Sequence, residues 1–283
     1  MCMKLINKGA EIFVPDKKSI FEAITRTTHL AIAAHPDDLE IMAYDGILKC
    51  YKDKKKWFCG IVVTNGSGSP KSGKYKKYSY KKFCNIRKKE QKNAAILGKY
   101  GSVIFLDYAS YDVKDTKNKN PTKDIQELLE LAKADIIYTH NLADKHDTHV
   151  AVALRTIRAT RKLPINIKPK NVYGCEIWGG LDWLCDDNKV IFDVSKNEVL
   201  AMKILSVFKS QTESGKKYDS ATIGRRKANS TFLSFNKTDK VDSLIYAMDL
   251  TPLIKNKQLN IKEYILKYIN KFKDNIMEKI ESV

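Results

Sequence analysis

An apolar run of strand length, Leu30-Ala31-Ile32-Ala33-Ala34, stops at His35-Pro36-Asp37-Asp38-Leu39-Glu40. Small and β-branched residues in an unbroken run suit a strand buried on both faces of a parallel sheet. Pro36 cannot donate to a ladder, and it biases His35 toward extended backbone. His35, Asp37 and Asp38 are therefore expected on the turn leaving the carboxyl end of a strand, where open α/β sheets place their sites. Imidazole plus carboxylate is a ligand set that suits zinc, and it leaves a second carboxylate free to act as a base. Asp37-Asp38 alone would pass as turn and cap chemistry. The histidine before it and a second histidine group downstream point to a site.

That second group ends the run Asp135-Ile136-Ile137-Tyr138-Thr139-His140 and continues through Asp144, His146 and His149, so three of the five histidines fall in one short stretch. A helical pattern follows from about Asp147. His146 and His149 are three apart and can share one face at the helix start. One can bind a metal while the other faces the same substrate atom.

The rest of the first half alternates strand and helix patterns: strands at 57–64, 103–108 and 135–140, helices at 39–51, 86–97, 124–133 and 147–160. Gly101 is read as the stop of the second helix. This alternation predicts a parallel sheet with helices on both faces. Further strands are expected at 172–178 and 190–194 and a helix at 196–208, with 209–229 a long polar stretch. Ile261, Tyr264, Ile265, Tyr268, Ile269, Phe272, Ile276 and Ile280 recur at helical spacing, so the chain is expected to end in an amphipathic helix. No linker marks a boundary, and residues 1–283 are read as one domain.

Asp107 closes its strand where a substrate-contacting aspartate would sit. Arg225 and Arg226, with Gly215, Lys216, Lys217 and Gly224 nearby, suit recognition of phosphate or carboxylate, and with them an anionic substrate is expected. The formal net charge of +18 also fits nucleic acid or an anionic surface. The lysines interleaved with Tyr75, Tyr78 and Tyr80 could stack on single strands. A solvated lysine-rich surface accounts for both more simply, and no nucleic-acid partner is expected. Cys2, Cys50, Cys59, Cys84, Cys175 and Cys185 form no Cys-x-x-Cys pair, which argues against a cysteine zinc cage. No secretory segment or membrane-length apolar run is present. The expectation is a cytoplasmic protein with free thiols; a homo-oligomer stays open.

Ala34-His35-Pro36-Asp37-Asp38-Leu39-Glu40 together with Asp144-x-His146-x-x-His149 resembles the PIG-L/LmbE-like zinc-dependent N-acetylglucosaminyl deacetylases over about residues 28–178. The remainder, 179–283, would be an extension packed on that core. The resemblance implies a Rossmann-like α/β fold and removal of an N-acetyl group from an amino sugar. It implies one Zn2+ per chain on His35, Asp38 and His149, Asp37 as general base and a protonated His146 at the oxyanion. Asp144 would orient His146, and Arg87 with Glu90 would lie near the sugar. The chain departs from the family at Tyr44-Asp45-Gly46, where a glycine pair is usual, and at His146-Asp147-Thr148-His149, where His-Pro-Asp-His is usual. A metal-dependent esterase or other hydrolase fits the same residues. A basic binding protein would leave both His/Asp groups idle.

Overall fold

The computed structural model describes residues 3–283, so Cys2 lies outside it. In chain order, β1 (Glu11–Phe13) and α1 (Ile20–Thr25) lead into β2 (His29–Ala33), whose five residues are all buried. After the carboxylate turn come α2 (Asp38–Met42) and α3 (Tyr44–Cys50), then β3 (Phe58–Thr64), α4 (Tyr80–Leu97) and β4 (Ser102–Tyr108). Next are α5 (Ser110–Lys114), α6 (Asn120–Ala132), β5 (Ile136–His140), α7 (Asp147–Lys162) and β6 (Asn171–Cys175). The last third holds β7 (Lys189–Asp193), α8 (Glu198–Leu205), α9 (Lys209–Thr212), α10 (Tyr218–Thr231), β8 (Leu244–Asp249), α11 (Thr251–Lys255) and α12 (Ile261–Glu281).

All eight strands join one sheet in the order β1-β4-β3-β2-β5-β6-β8-β7. Strands β4, β3, β2, β5 and β6 are parallel, β1 is antiparallel on one edge, and on the other β8 runs antiparallel between β6 and β7. This is the Rossmann-like, mostly parallel arrangement expected. Strand alternation sends Leu30 and Ile32 to one face, against Ile125, Val152 and Ile157 of α6 and α7. Ala31 and Ala33 go to the other, against Leu39, Met42 and Ile47 of α2 and α3. The alanines leave room for those helices to sit close. At Gly60 in β3 an added Cβ would come within 2.5 Å of Leu39 Cδ1, so the small residue is needed there. The chain leaves β2 for β3 on one side and reaches β5 on the other. The switch point therefore lies at the carboxyl ends of β2 and β5, where such sheets bind ligands.

Several local expectations are corrected. The helix expected over 39–51 is two helices, broken at Ala43 (φ −115°, ψ 23°). Helix α4 ends at Leu97 and is capped by Gly98, while the Gly101 N–H instead joins Phe58 O at 2.8 Å. The polar stretch 209–229 is largely helical, and β1 and β8 had no forecast. Tyr75 is buried and packs edge-on against Tyr78 and Phe83, so it offers no open stacking face. Helix α12 packs through Ile261, Tyr264, Ile265 and Tyr268. Among the described residues no helix is long and apolar enough to cross a membrane.

Candidate functional site

The turn after β2 is tied to itself. Asp38 Oδ2 accepts the His35 backbone N–H at 2.8 Å, and the Asp38 N–H reaches back to His35 O at 3.3 Å. Between them Asp37 stands at φ 92°, a costly conformation for a residue with a side chain. Its N–H is held by Gln91 Oε1 of α4 at 3.0 Å and its carboxylate by Arg87 Nη2 at 3.2 Å. Backbone strain is thus maintained by two side chains from one helix.

Helix α7 brings His149 against this turn. His35 Nδ1, Asp38 Oδ2 and His149 Nε2 form a triangle with sides of 3.1, 3.2 and 3.3 Å. A tetrahedral zinc with bonds near 2.05 Å has ligand–ligand edges of about 3.3 Å. The other ring nitrogen of His149, Nδ1, lies 3.2 Å from Asp144 Oδ1. Burial opposes charge on His149, yet the carboxylates of Asp38 and Asp144 on its two sides raise its pKa to about 9. Burial likewise opposes ionisation of Asp38, but the His149 and His35 rings outweigh it and hold that carboxyl well below its usual range. The cluster therefore calls for positive charge between its atoms, and a divalent cation fits that demand. Spacing, donor types and charge all suit zinc.

Two further histidines, His140 and His146, stand beside the triangle. His140, fully buried at the end of β5, accepts the Ala34 N–H through Nε2 at 2.8 Å and stacks on His149 with centroids 4.0 Å apart. Its lone pair is spent, so although its atoms come near Asp38 and His149 it serves as a wall. His146 caps α7: its Nδ1 accepts the Thr148 N–H at 3.2 Å. The proton must then sit on Nε2, and burial followed by the charge of His149 lowers the ring's pKa. The protonated His146 expected from sequence is corrected to a neutral Nε2–H donor. Asp144 is corrected too. Its Oδ1 takes the His146 backbone N–H at 2.9 Å and its carboxylate faces the ring of His149, not that of His146. Its Oδ2 accepts the Trp178 and Gly179 N–H groups at 3.1 and 3.2 Å.

Asp37 is buried. Burial pushes its pKa up to about 7, with Arg87 opposing and Asp38 assisting. Arg87 itself is only 2% exposed and spends its donors on Gly66 O, Ser69 Oγ, Pro36 O and Asp37. It borders the cavity, where sequence expected it to contact substrate, and it also braces the turn and the loop after β3. Glu90, its expected neighbour at the sugar, accepts from the Ser210 N–H and hydroxyl instead. Asp107 is also corrected. It sits at φ 60° with its carboxylate 2.7 Å from Lys88 Nζ, away from the cavity lining. Arg226 is buried, donates to Glu40 O and Ile41 O at the end of α2, and lies over the Tyr44 ring. Burial lowers its pKa to about 10. It clamps α10 to the helix that carries Asp38 and also borders the cavity, where sequence expected a ligand contact. Arg225 does line the cavity, with Nη1 donating to Ile177 O.

The cavity over the triangle measures about 770 Å³ and is bordered by His35, Asp37, Asp38 and His146. Sequence reasoning did not find Gln91, His140, Trp178 or Tyr218. Gln91, Trp178 and Tyr218 have no spacing signal, and the position of His140 in the histidine group does not show that its Nε2 accepts the Ala34 N–H.

The fold and cluster define a Rossmann-like α/β protein with a His/Asp metal-type site at the carboxyl edge of its sheet. Residues 30–160 match the PIG-L family, described as GlcNAc-PI de-N-acetylase. No curated protein matches the sequence. Among solved structures, an N,N′-diacetylchitobiose deacetylase from Pyrococcus horikoshii is 18% identical, with a TM-score of 0.62 over 81% of this chain and 86% of that one. A deacetylase of the teicoplanin biosynthesis pathway is 12% identical, with a TM-score of 0.55 over 79% and 98%. A 4-carboxy-2-hydroxymuconate hydratase from Pseudomonas putida is 14% identical, with a TM-score of 0.61 over 79% and 96%. At these identities the likeness is one of fold, and one fold hosts different reactions.

Proposed function

We propose that this protein is a zinc-dependent deacetylase that hydrolyses the N-acetyl group of an amino sugar, working as one unit over residues 1–283. The observation that carries the reading is the triangle of His35, Asp38 and His149, with a strained, buried carboxylate beside it and an imidazole donor facing the same cavity. The family match and the deacetylases among the structural neighbours support it. Sheet strands β7 and β8, from the expected 179–283 extension, support a single unit.

His35 Nδ1, Asp38 Oδ2 and His149 Nε2 would hold the zinc, which when bound supplies Lewis acidity toward water and an acyl oxygen. Asp37 takes the proton of the attacking water as the new C–O bond forms. Burial raises the pKa of this carboxyl, which favours its holding that proton before delivering it. His146 Nε2–H donates to the developing oxyanion. The C–N bond breaks as Asp37 passes the proton to the leaving nitrogen, giving acetate and a free amine. Arg87 keeps the Asp37 carboxylate aimed throughout, while Gln91 holds its backbone N–H. Acetate release from N-acetyl sugars is expected from the purified chain, to vanish on chelation and to return with zinc. Release that is indifferent to chelation would reject the metal-dependent reading.

A further inference from the structure

Resting on the amino-sugar reading, we propose that the outer part of the cavity binds an anionic substituent of the sugar, a phosphate or a carboxylate. Six basic residues border the cavity; Arg87 and Arg226 are buried, and the other four are Lys114 of α5, Lys216 and Lys217 from the segment between α9 and α10, and Arg225 of α10. Among the described residues none of the four forms an ion pair. The acids of the floor, Asp37 and Asp38, are engaged by Arg87 and the histidines. Among the described residues Glu176 is the only carboxylate on the outer wall, and its Oε1 accepts from Asn229 and the Tyr246 N–H. The wall thus carries an excess of positive charge inside a concave surface, where potentials are focused.

The same wall offers a face for a pyranose ring. Trp178 is 38% exposed, stands edge-on to Tyr218 with centroids 5.8 Å apart, and has Lys216 Nζ 5.3 Å from its ring centroid. Its backbone is pinned by Asp144, the carboxylate that faces His149. The aromatic face, the cations and the metal-type cluster are therefore held in one frame. Gly215 lies at φ 89° with no atom within 4 Å of where a Cβ would be, leaving open space at the base of the lysine pair.

The test is calorimetric binding to the full-length Asp37→Asn protein, which removes turnover. The probes are N-acetylglucosamine, N-acetylglucosamine 1-phosphate and, for the carboxylate arm, N-acetylmuramic acid. At low salt at least one charged sugar is expected to bind about tenfold or more tightly than the neutral one. Adding Lys216→Ala/Lys217→Ala, both exposed, should bring that ratio toward one, while Lys54→Ala/Lys55→Ala on a distant loop should leave it unchanged. Equal affinities, a ratio indifferent to Lys216 and Lys217, or no binding of any sugar would overturn the inference. Charge preference without acetate release from the parent protein would reject the deacetylase reading and keep the anion subsite. Release without preference would do the reverse.

Discussion

At the floor of the cavity, His35, Asp38 and His149 face one another across 3.1–3.3 Å, and the groups that position them are themselves braced by Gln91, Arg87, His140 and Asp144. On the outer wall, Lys114, Lys216 and Lys217 have no ionic partner among the described residues, and Trp178 keeps a third of its surface open. The floor is built by β2, β5, α4 and the start of α7, all within the parallel half. The wall is built by α5, the segment after β6 and the late, polar segments around α9 and α10. A rigid floor suits chemistry, which needs groups held to a fraction of an ångström. An adaptable wall suits selection among substrates. Changes on the floor should therefore act on rate and metal, and changes on the wall on substrate preference.

The largest effect is expected at Asp37. Asp37→Asn should keep zinc and lose acetate release by about a hundredfold or more, read in initial rates at saturating zinc. A parent-like rate would exclude it as the base. Next is His146→Ala, expected to keep zinc and lose a factor of about one hundred in kcat, as when one oxyanion donor is removed. Zinc loss in this variant would make His146 a ligand. Asp144→Asn should weaken zinc binding by about ten- to a hundredfold, because Asp144 sets the ring of His149. A chelator competition assay would show this. Unchanged zinc affinity with a lower rate would return Asp144 to the service of His146.

Much of the floor was legible in the sequence because apolar runs ending in His and Asp mark strand ends directly. The two motifs do converge, although His35 and His149 lie far apart in the chain. What could not be read was orientation. Asp107 is at its strand end as expected, yet its side chain turns to Lys88 of α4. Arg87 and Glu90 share a helix but go to separate buried partners, Asp37 and Ser210. His140 carries no sign in the sequence that its Nε2 accepts the Ala34 N–H. Helix α10 was hidden because Tyr218–Thr231 is mostly polar, and its buried side includes Thr222, Arg226, Asn229 and Ser230. Burial of such residues depends on partners such as Glu40 O and Glu176, which no local pattern announces.

Zinc content per chain, measured by elemental analysis in the parent and in His35→Ala, His149→Ala and His140→Ala proteins, tests the three-ligand floor most directly. About one zinc is expected in the parent and in His140→Ala, and little in the other two. Full occupancy in His35→Ala and His149→Ala, or loss confined to His140→Ala, would contradict it.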